Sequence, residues 1–348
     1  MSKNENITFR KKIRKIPGVY NAYLKINNFM IKPKEFYRSL RFGFLAKYFP
    51  KRHCRLMTKP GARKETPFKI DLKNPIYFNE KLLWLKYYVY NKSSLVAKCY
   101  DKYLVREYVK KCGCENILND LYGVWDSIDE INWDSLPEEY VLKITNGNSY
   151  HIFKTKEQDA DIDRYKDTLL VPAKKRNIIY RSSGDLFALK CPQRFICEKL
   201  LKNPANNKAL DDWKFYCFNG EPKYLLYVYD RIIVDGTQNA SQEKVFMTVD
   251  FKNKMDYYKD SKSKVPEKPA CYNEMLECAR KLSKDFPFVR VDFYISENKP
   301  VFGELTFTPA GGYVKNLLHN KEGLIEMGNC LCLDNINEYT KLKKSYNV

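Results

Sequence analysis

Several hallmarks of secreted, membrane-spanning and common nucleotide-binding proteins are missing from this sequence of 348 residues. No apolar run is long enough to cross a bilayer, and residues 1–10 are polar, with no apolar segment behind them of the kind found in signal peptides. Neither G-x-G-x-x-G nor G-x-x-x-x-G-K-[ST] occurs, so dinucleotide and P-loop phosphate sites are unsupported. The sequence also has no internal repeat or low-complexity tract. We therefore expect a cytoplasmic protein with an ordinary globular core.

Histidine is rare, with three residues, whereas cysteine occurs eleven times. The cysteines are scattered singly apart from the Cys112/Cys114 and Cys330/Cys332 pairs, in which one residue separates the two thiols. A structural zinc site needs four well-spaced ligands, and so few histidines leave these pairs without partners. We therefore expect reduced, partly buried thiols in a reducing compartment.

Basic residues are concentrated at the start of the chain. Residues 1–64 contain 18 Lys or Arg and 2 Asp or Glu, a net charge of +16, whereas the whole chain carries +20. Such a segment prefers an anionic partner: acidic lipid, nucleic acid or acidic polysaccharide. Within it, residues 36–49 predict a helix with Phe, Leu and Tyr on one side and Arg or Lys on the other, which can lie on a membrane surface. The alternative to membrane attachment is that this basic segment packs against the rest of its own protein.

Strands and helices are mixed along the chain without regular β-α-β alternation, which favours α+β lobes. Helices are predicted from 3.6-residue periodicity over residues 75–90, 94–111 and 274–284. Strands are predicted at 140–144 and 195–198, with a turn over 145–153 after the first. Two hairpins are predicted, one over 213–231 with its turn at Asn219-Gly220 and one over 288–307.

The second hairpin carries the most informative residues. Asp292 and Glu304 lie on its paired strands, and a turn near residues 298–300 brings both side chains to one edge of the sheet. Because side chains alternate along a strand, Arg290 shares the face of Asp292 and Thr306 shares that of Glu304. Two converging carboxylates repel unless a cation lies between them, and Mg²⁺ prefers such oxygen ligands together with water and phosphate. The hairpin therefore predicts a metal–triphosphate site. Exposed hairpin charges are the alternative, which the apolar flanking residues disfavour.

Several segments taken together resemble one known family. They read FNEKLLWLK, YDKYLVREYV, LYGVWDSIDEINWDSLPEEYVLK, WKFYCFNGEPKY and KDFPFVRVDFY followed by FGELTFTPAGG, all within residues 75–330. They resemble the ATP-grasp family named for teichuronopeptide biosynthesis, the TupA-like type. The resemblance implies an α+β, ATP-grasp fold, in which two lobes enclose ATP and Mg²⁺, with a basic and largely helical N-terminal segment. The expected division is a basic arm at 1–70, a helical region at 71–135, a small lobe at 136–200, a large lobe with the metal site at 201–330, and a tail at 331–348.

The resemblance also implies roles for individual residues. In this fold a strand lysine contacts the phosphates, and the turn behind it covers them with backbone N–H groups. A glutamate-led segment after another strand forms the adenine hinge, and an arginine two residues before the first metal ligand steadies the transferring phosphoryl group. The positions that match are Lys143, Asn146, Gly147, Asn148, Glu198, Lys199, Leu200 and Leu201 for the nucleotide; Arg290, Lys214 and Arg231 for catalysis; and Asp292, Glu304 and Thr306 for the metal.

Simpler interpretations compete at several of these positions. A lysine inside an apolar strand costs free energy without an anionic partner, so Lys143 is expected at the phosphates rather than in solvent at a sheet edge. His151 is expected to be structural. The turn after Lys143 contains one glycine, Gly147, where the family usually has several, which predicts hindered approach of its backbone to phosphate. The competing ion-pair partners are Asp211 or Asp212 for Lys214, and Asp230 or Asp235 for Arg231.

The resemblance implies an ATP-dependent carboxylate–amine ligase that works through an acyl phosphate. The implied substrates are an amino acid and an acidic sugar or glycan acceptor in bacterial capsule or cell-surface polysaccharide biosynthesis. Residues 1–70 suit a lipid-linked intermediate or the inner membrane surface, which would make the protein cytoplasmic and peripheral. A sugar phosphotransferase or a glycosyltransferase of a polysaccharide locus is the alternative. A non-catalytic protein that binds nucleic acid is disfavoured, because no nucleic-acid-binding motif is present.

Overall fold

Two antiparallel sheets and the helices around them form the fold. The computed structural model describes residues 32–62, 64–147, 151–156, 161–201, 210–234 and 238–334, and within these residues we number eight α-helices and nine strands. The helices are α1 Pro33–Tyr48, α2 Pro50–Thr58, α3 Phe78–Tyr88, α4 Ser94–Tyr100, α5 Val105–Lys111, α6 Ile162–Ser183, α7 Tyr272–Ser283 and α8 Lys321–Asn329. The strands are β1 Leu121–Trp125, β2 Tyr140–Ile144, β3 His151–Lys154, β4 Phe195–Lys199, β5 Asp212–Phe218, β6 Glu221–Val234, β7 Gln238–Thr248, β8 Phe288–Ser296 and β9 Lys299–Thr306.

Each sheet has its own apolar core. The smaller sheet has the strand order β1-β4-β2-β3, and residues such as Leu142, Ile144 and Leu169 pack it against α6. The larger sheet has the order β7-β6-β5-β8-β9, and its core of mainly aromatic and aliphatic side chains extends to α3, α7 and α8. This α+β organisation is the one predicted from the sequence.

Both predicted hairpins are present. Asn219 and Gly220, with φ of 48° and 85°, connect β5 to β6 as predicted, because two residues with positive φ match the twist of the flanking strands. The turn between β8 and β9 is at Glu297 and Asn298, with φ of 52° and 60°, slightly before the predicted position near 298–300. Pro300 instead lies inside β9, the last strand of its sheet, where a residue without an N–H is tolerated.

Two of the predicted elements were wrong in detail. The helix predicted over 94–111 is two short helices, because the Asp101 carboxylate accepts hydrogen bonds from the backbone N–H groups of Tyr103 and Leu104 and breaks the helix. The turn predicted over 145–153 ends early, since β3 begins at His151 and pairs with β2. Strands β1 and β7 and the long helix α6 were not predicted.

The N-terminal helices pack on the body of the protein. Helix α1 confirms the helix predicted over 36–49 and lies along α6. In the part of the chain that the structure describes, no helix is both long and apolar enough to cross a membrane. All eleven cysteines are free thiols, and nine of them are buried. The predictions for residues 1–31 lie outside the described residues.

Candidate active site

A charged face formed by β5, β8 and β9 contains five of the six residues predicted for catalysis and for the metal. Lys214 is the cross-strand partner of Asp292, and Asp292 is the partner of Glu304 on the other side. Arg290 is paired with Thr306 in the same way. Because residues two apart on a strand share a face, all five side chains lie on one side of the sheet. The sequence predicted this for the four residues of the β8–β9 hairpin, and Lys214 of β5 joins them.

Arg290 connects the two predicted metal ligands. Its Nε donates to Asp292 Oδ1 at 2.7 Å, and its Nη2 donates to Asp292 Oδ2 at 2.6 Å. The same Nη2 lies 3.3 Å from Glu304 Oε1 and 3.0 Å from Thr306 Oγ1. Thr306 donates in turn to Glu304 Oε1 at 2.8 Å. A guanidinium group therefore lies between the two carboxylates, where the sequence predicts a cation.

Asp212 extends this network, and the sequence did not single it out as a site residue. Lys214 Nζ lies 2.9 Å from Asp292 Oδ2 and 3.2 Å from Asp212 Oδ2. Arg231 Nη1 lies 2.5 Å from the same Asp212 oxygen. Asp212 is one of the two partners considered for Lys214, and it also pairs with Arg231, for which it was not considered. The other oxygen of Asp212, Oδ1, is buried and has no hydrogen-bond partner in the structure.

Electrostatics favour the charged forms of Glu304 and Lys214 on this face, whereas burial raises the pKa of Asp292 above its ordinary value. Burial acts against the Glu304 carboxylate, but Lys102, Arg290 and Lys214 outweigh it and lower the pKa of Glu304 to about 2. Burial also acts against the Lys214 ammonium, but Asp212 and Asp292 outweigh it and raise the pKa of Lys214 above its ordinary value. Glu304 and Lys214 are therefore ionised throughout the physiological pH range.

The smaller sheet contributes the predicted strand lysine. Lys143 on β2 forms an ion pair with Glu198 on β4, at 2.8 Å. Glu198 is also bound by Arg106, at 3.1 Å. The side chain of Lys143 is 21% exposed, which is too little for the solvent-exposed edge lysine that was the alternative. Glu198, the first residue of the predicted adenine hinge, is thus the anionic partner that Lys143 requires.

Lys102 is a site residue that sequence reasoning missed. It follows Asp101 in the break between α4 and α5, and its Nζ donates to the Gly147 carbonyl oxygen at 2.7 Å. Burial lowers the pKa of Lys102, and the charge of Glu304 counteracts this effect. Lys102 therefore lies between the turn after β2 and the Glu304 carboxylate of β9. The signal available in the sequence was Asp101, an aspartate that is able to cap a new helix and directly precedes Lys102.

His151 marks the place where the two sheets meet. It is the cross-strand partner of Lys143 on the smaller sheet. Burial, together with the positive charges of Lys143 and Lys102, lowers the pKa of His151 to about 3, against the opposing effect of Glu304. Groups from β2, β3, the α4–α5 break and β9 are therefore close enough to act on one another electrostatically, and we call the region between them the cleft.

Some predicted nucleotide residues have other surroundings. The Asn146 side chain is buried and donates to the carbonyl oxygen of Pro192 at 3.2 Å, so it holds the turn rather than entering the cleft. Lys199 is exposed and lies 3.6 Å from Asp120. Leu200 and Leu201 follow β4 and are half-buried. Asn148 lies outside the described residues.

The donor set suits a magnesium ion. Asp292, Glu304 and Thr306 supply oxygen atoms on one face, and Mg²⁺ commonly uses one or two carboxylates with water and phosphate as its other ligands. The described residues contain no group of three or more His, Cys, Asp or Glu side chains arranged as a metal site. The guanidinium of Arg290 between the two acids shows that the position accommodates a positive charge.

Comparison with known proteins identifies the family. The model of the TupA-like ATP-grasp family matches residues 80–328. The chain belongs to the TupA-like ATP-grasp family. It is therefore an ATP-grasp enzyme of the ligase type, and its two sheets form the α+β lobes of that fold. Members of the ATP-grasp fold bind ATP and Mg²⁺, and the charged face described above lies within the matched residues.

Solved structures with some similarity include other ATP-grasp ligases. D-alanine–D-alanine ligase from Bacillus anthracis is 15% identical over 72% of this chain and 70% of its own, with a TM-score of 0.38. L-amino acid ligase from Bacillus licheniformis is 11% identical over 67% of this chain and 51% of its own, with a TM-score of 0.38. These values are too low to bear on substrate or mechanism. No curated protein matches the chain.

Proposed function

We propose that this TupA-like enzyme is an ATP-dependent carboxylate–amine ligase that joins an amino acid to a uronic acid or another glycan-linked carboxylate. Its place would be the assembly of bacterial capsule or other cell-surface polysaccharide. Family membership supports the ligase type of chemistry. The observation that carries the proposal is the array of Lys214, Arg290, Asp292, Glu304 and Thr306 on one sheet face, with Lys102 of the α4–α5 break acting on Glu304.

This array suits a magnesium–triphosphate. We assign Asp292, Glu304 and Thr306 to the metal, because they supply adjacent oxygen atoms. We assign Lys102 and Lys214 to the phosphate oxygens, and their electrostatic effect on Glu304 supports this assignment. The set assigned to ATP on the smaller sheet is Lys143, the backbone of the turn from Asn146 to Asn148, and the hinge formed by Glu198, Lys199, Leu200 and Leu201, with Arg231 as a further phosphate contact.

The proposed reaction has two steps. ATP bound with magnesium supplies an electrophilic γ-phosphoryl group, which the substrate carboxylate attacks to give an acyl phosphate and ADP. The amine of the second substrate then attacks the acyl carbon, so that phosphate leaves, a proton is lost and an amide forms. Arg290 would steady the phosphoryl group in the first step, and the buried cations would offset its developing negative charge.

The acceptor is expected to be acidic. The basic N-terminal segment favours a polyanionic acceptor or a lipid-linked intermediate, which would place the enzyme on the cytoplasmic side of the membrane. A sugar phosphotransferase would use the same metal–ATP face and differ only in the acceptor group, a hydroxyl. The product therefore distinguishes the two reactions.

The test is a product assay with ATP, Mg²⁺, single amino acids, and glucuronic or galacturonic acid as the carboxylate. We expect ADP release only when both an amine and a carboxylate are present, with a product mass equal to the sum of the two less one water. Asp292→Asn should lose this activity, whereas Glu277→Gln, which breaks an exposed ion pair on α7, should keep it. A phosphorylated sugar without an amide would overturn the ligase reaction in favour of the phosphotransferase.

A further inference from the structure

Helix α1 exposes a continuous apolar face. Its members, Phe36, Tyr37, Leu40, Phe44 and Tyr48, are between 40% and 68% exposed. Four of them recur every four residues, so they form one stripe along the whole helix of 16 residues, which is about 24 Å long. We call this stripe the aromatic face of α1. Its rings contact one another, with 5.0 Å between the centroids of Phe44 and Tyr48.

The opposite face of α1 holds the helix to the protein. Ser39, Leu45 and Ala46 are buried, and the helix packs along α6. The Phe42 ring lies against the His53 ring of α2, with 5.4 Å between centroids. The helix is therefore fixed in orientation, and its aromatic face is not needed for this packing. Soluble proteins rarely expose large continuous apolar patches, and such patches mark interaction sites.

The surroundings of the aromatic face are strongly basic. Residues 32–62 contain nine Lys or Arg and one acid, Glu35. The basic side chains of α1 and of the start of α2 are exposed; they are Lys34, Arg38, Arg41, Lys47, Lys51 and Arg52. Aromatic residues flanked by lysine and arginine on a surface helix are typical of helices that lie in the interface of an anionic bilayer.

We propose that α1 docks the enzyme on an anionic lipid bilayer, with its aromatic face in the headgroup layer and the basic side chains of α1 and α2 on the anionic headgroups. The partner follows from charge complementarity, since a neutral apolar partner would leave these cations without counter-charges. The orientation follows from the packing of α1 on α6. This inference names the surface that meets the membrane, and it holds whichever acceptor the enzyme uses.

The test compares binding of the full chain to vesicles of phosphatidylcholine alone and of phosphatidylcholine with phosphatidylglycerol. The variant Leu40→Gln with Phe44→Gln removes two residues of the aromatic face and retains every charge. The matched control, Ile76→Gln with Ile325→Gln, removes two apolar side chains of similar exposure elsewhere on the surface. Glutamine is a good helix former, so α1 should stay folded. Thermal unfolding and the nucleotide-induced rise in Tm should be the same in both variants, which separates docking from the ATP site.

We expect the natural chain to bind the anionic vesicles at least about tenfold more tightly than the neutral ones. The α1 variant should bind them about tenfold more weakly than the natural chain, and the control should bind as the natural chain does. Equal binding by the α1 variant and the natural chain would overturn the proposal, as would equal binding to both kinds of vesicle. A dimer in solution that the α1 variant dissociates, without any vesicle binding, would show that a second copy covers this face and would also overturn it.

Discussion

Arg290 occupies the central position of the candidate site. It binds Asp292 through two nitrogen atoms and reaches Glu304 and Thr306 through one of them. The Asp292 side chain is 2% exposed and that of Arg290 is 13% exposed, so water stabilises both charges much less than it would on the surface. A guanidinium in this position offsets the repulsion between the two carboxylates when no metal is bound. A metal ion and the arginine thus both offset the repulsion between the two carboxylates. Removal of the arginine should therefore make the stability of the protein depend on the metal.

The first prediction concerns Arg290→Gln. The loss of this partner leaves Asp292 and Glu304 close together and should destabilise the protein by about 3–5 kcal/mol, the usual cost of breaking a buried ion pair. Added Mg²⁺ should raise the Tm of the variant by more than it raises that of the natural chain. Lys281→Gln, which breaks an exposed pair with Glu277, is the control and should show no such metal effect. An equal response to Mg²⁺ in all three proteins would contradict the metal assignment.

His53 forms a buried contact of a different kind. Its Nε2 lies 3.3 Å from the Ser182 carbonyl oxygen, which can only accept, so Nε2 carries the proton. Its Nδ1 then accepts a hydrogen bond from the Tyr87 hydroxyl at 2.8 Å. Burial, with the charge of Lys86, lowers the pKa of His53 from 6.5 to about 4. The histidine is therefore neutral in the folded protein and becomes protonated more readily when the chain unfolds.

The second prediction is a pH dependence. Between pH 6.5 and about 4 the unfolded chain binds a proton at His53 that the folded chain does not, so stability falls as the pH is lowered through this window. The loss amounts to about 3 kcal/mol in all, at about 1.4 kcal/mol per pH unit. His53→Gln should flatten the dependence of the free energy of unfolding on pH in this range, as measured by urea denaturation. An unchanged slope would contradict this account, because it would show that the pKa of His53 is the same in the folded and unfolded chains.

At the scale of elements, local patterns predicted local structures well. The β8–β9 hairpin and its shared face were predicted because alternation along paired strands fixes which side chains meet. The break between α4 and α5 was not predicted. The apolar pattern across it is continuous and typical of one helix, whereas the Asp101 carboxylate accepts from the backbone and interrupts that helix. Strand β1 was missed because its residues are half-buried or exposed, and its pairing with distant β4 leaves no local signal. Lys102 and the Asp212–Arg231 pair were missed for the same reason, because their positions depend on neighbouring strands or loops.

One buried lysine joins three elements behind the site. Lys86 on α3 is fully buried and donates to the carbonyl oxygens of Ser183, at the end of α6, and Gly311, in the turn after β9. Its Nζ also lies 3.0 Å from Asp185. The turn contains three consecutive residues with positive φ, from Ala310 to Gly312, a conformation that needs support from its surroundings. Lys86 supplies that support in the turn that follows the strand carrying Glu304.

The third prediction concerns Lys86→Met. The variant keeps the length of the side chain but leaves the buried Asp185 without its cation and two carbonyl oxygens without a donor. We expect it to lower the free energy of unfolding by about 3–5 kcal/mol, as measured by urea denaturation. Lys110→Met, at an exposed pair with Glu115, should cost less than about 1 kcal/mol. Similar losses in both variants would show that the buried contacts contribute nothing beyond a surface ion pair.

At the scale of the whole molecule, the site is shared by parts of the chain that the sequence assigned to different units. Lys102 lies in the region 71–135, Lys143 in 136–200, and Asp292 and Glu304 in 201–330. The division into these units stays a prediction, but the helical region clearly contributes a cation to the cleft. Sequence reasoning found the acids and most cations because they lie within conspicuous strands. The cleft itself depends on how the two sheets pack, which no local pattern contains.

The central claim is that Asp292 and Glu304 form the metal–ATP site of this ATP-grasp enzyme. Its most direct test is the Tm of the natural chain and of Asp292→Asn with Glu304→Gln, each with and without a non-hydrolysable ATP analogue and Mg²⁺. A ligand that binds only the folded state stabilises it by about 2.7 kcal/mol at one hundred times its dissociation constant. We predict a rise in the Tm of the natural chain and little or none in the variant. An equal rise in both proteins, or none in the natural chain at millimolar nucleotide, would contradict the claim.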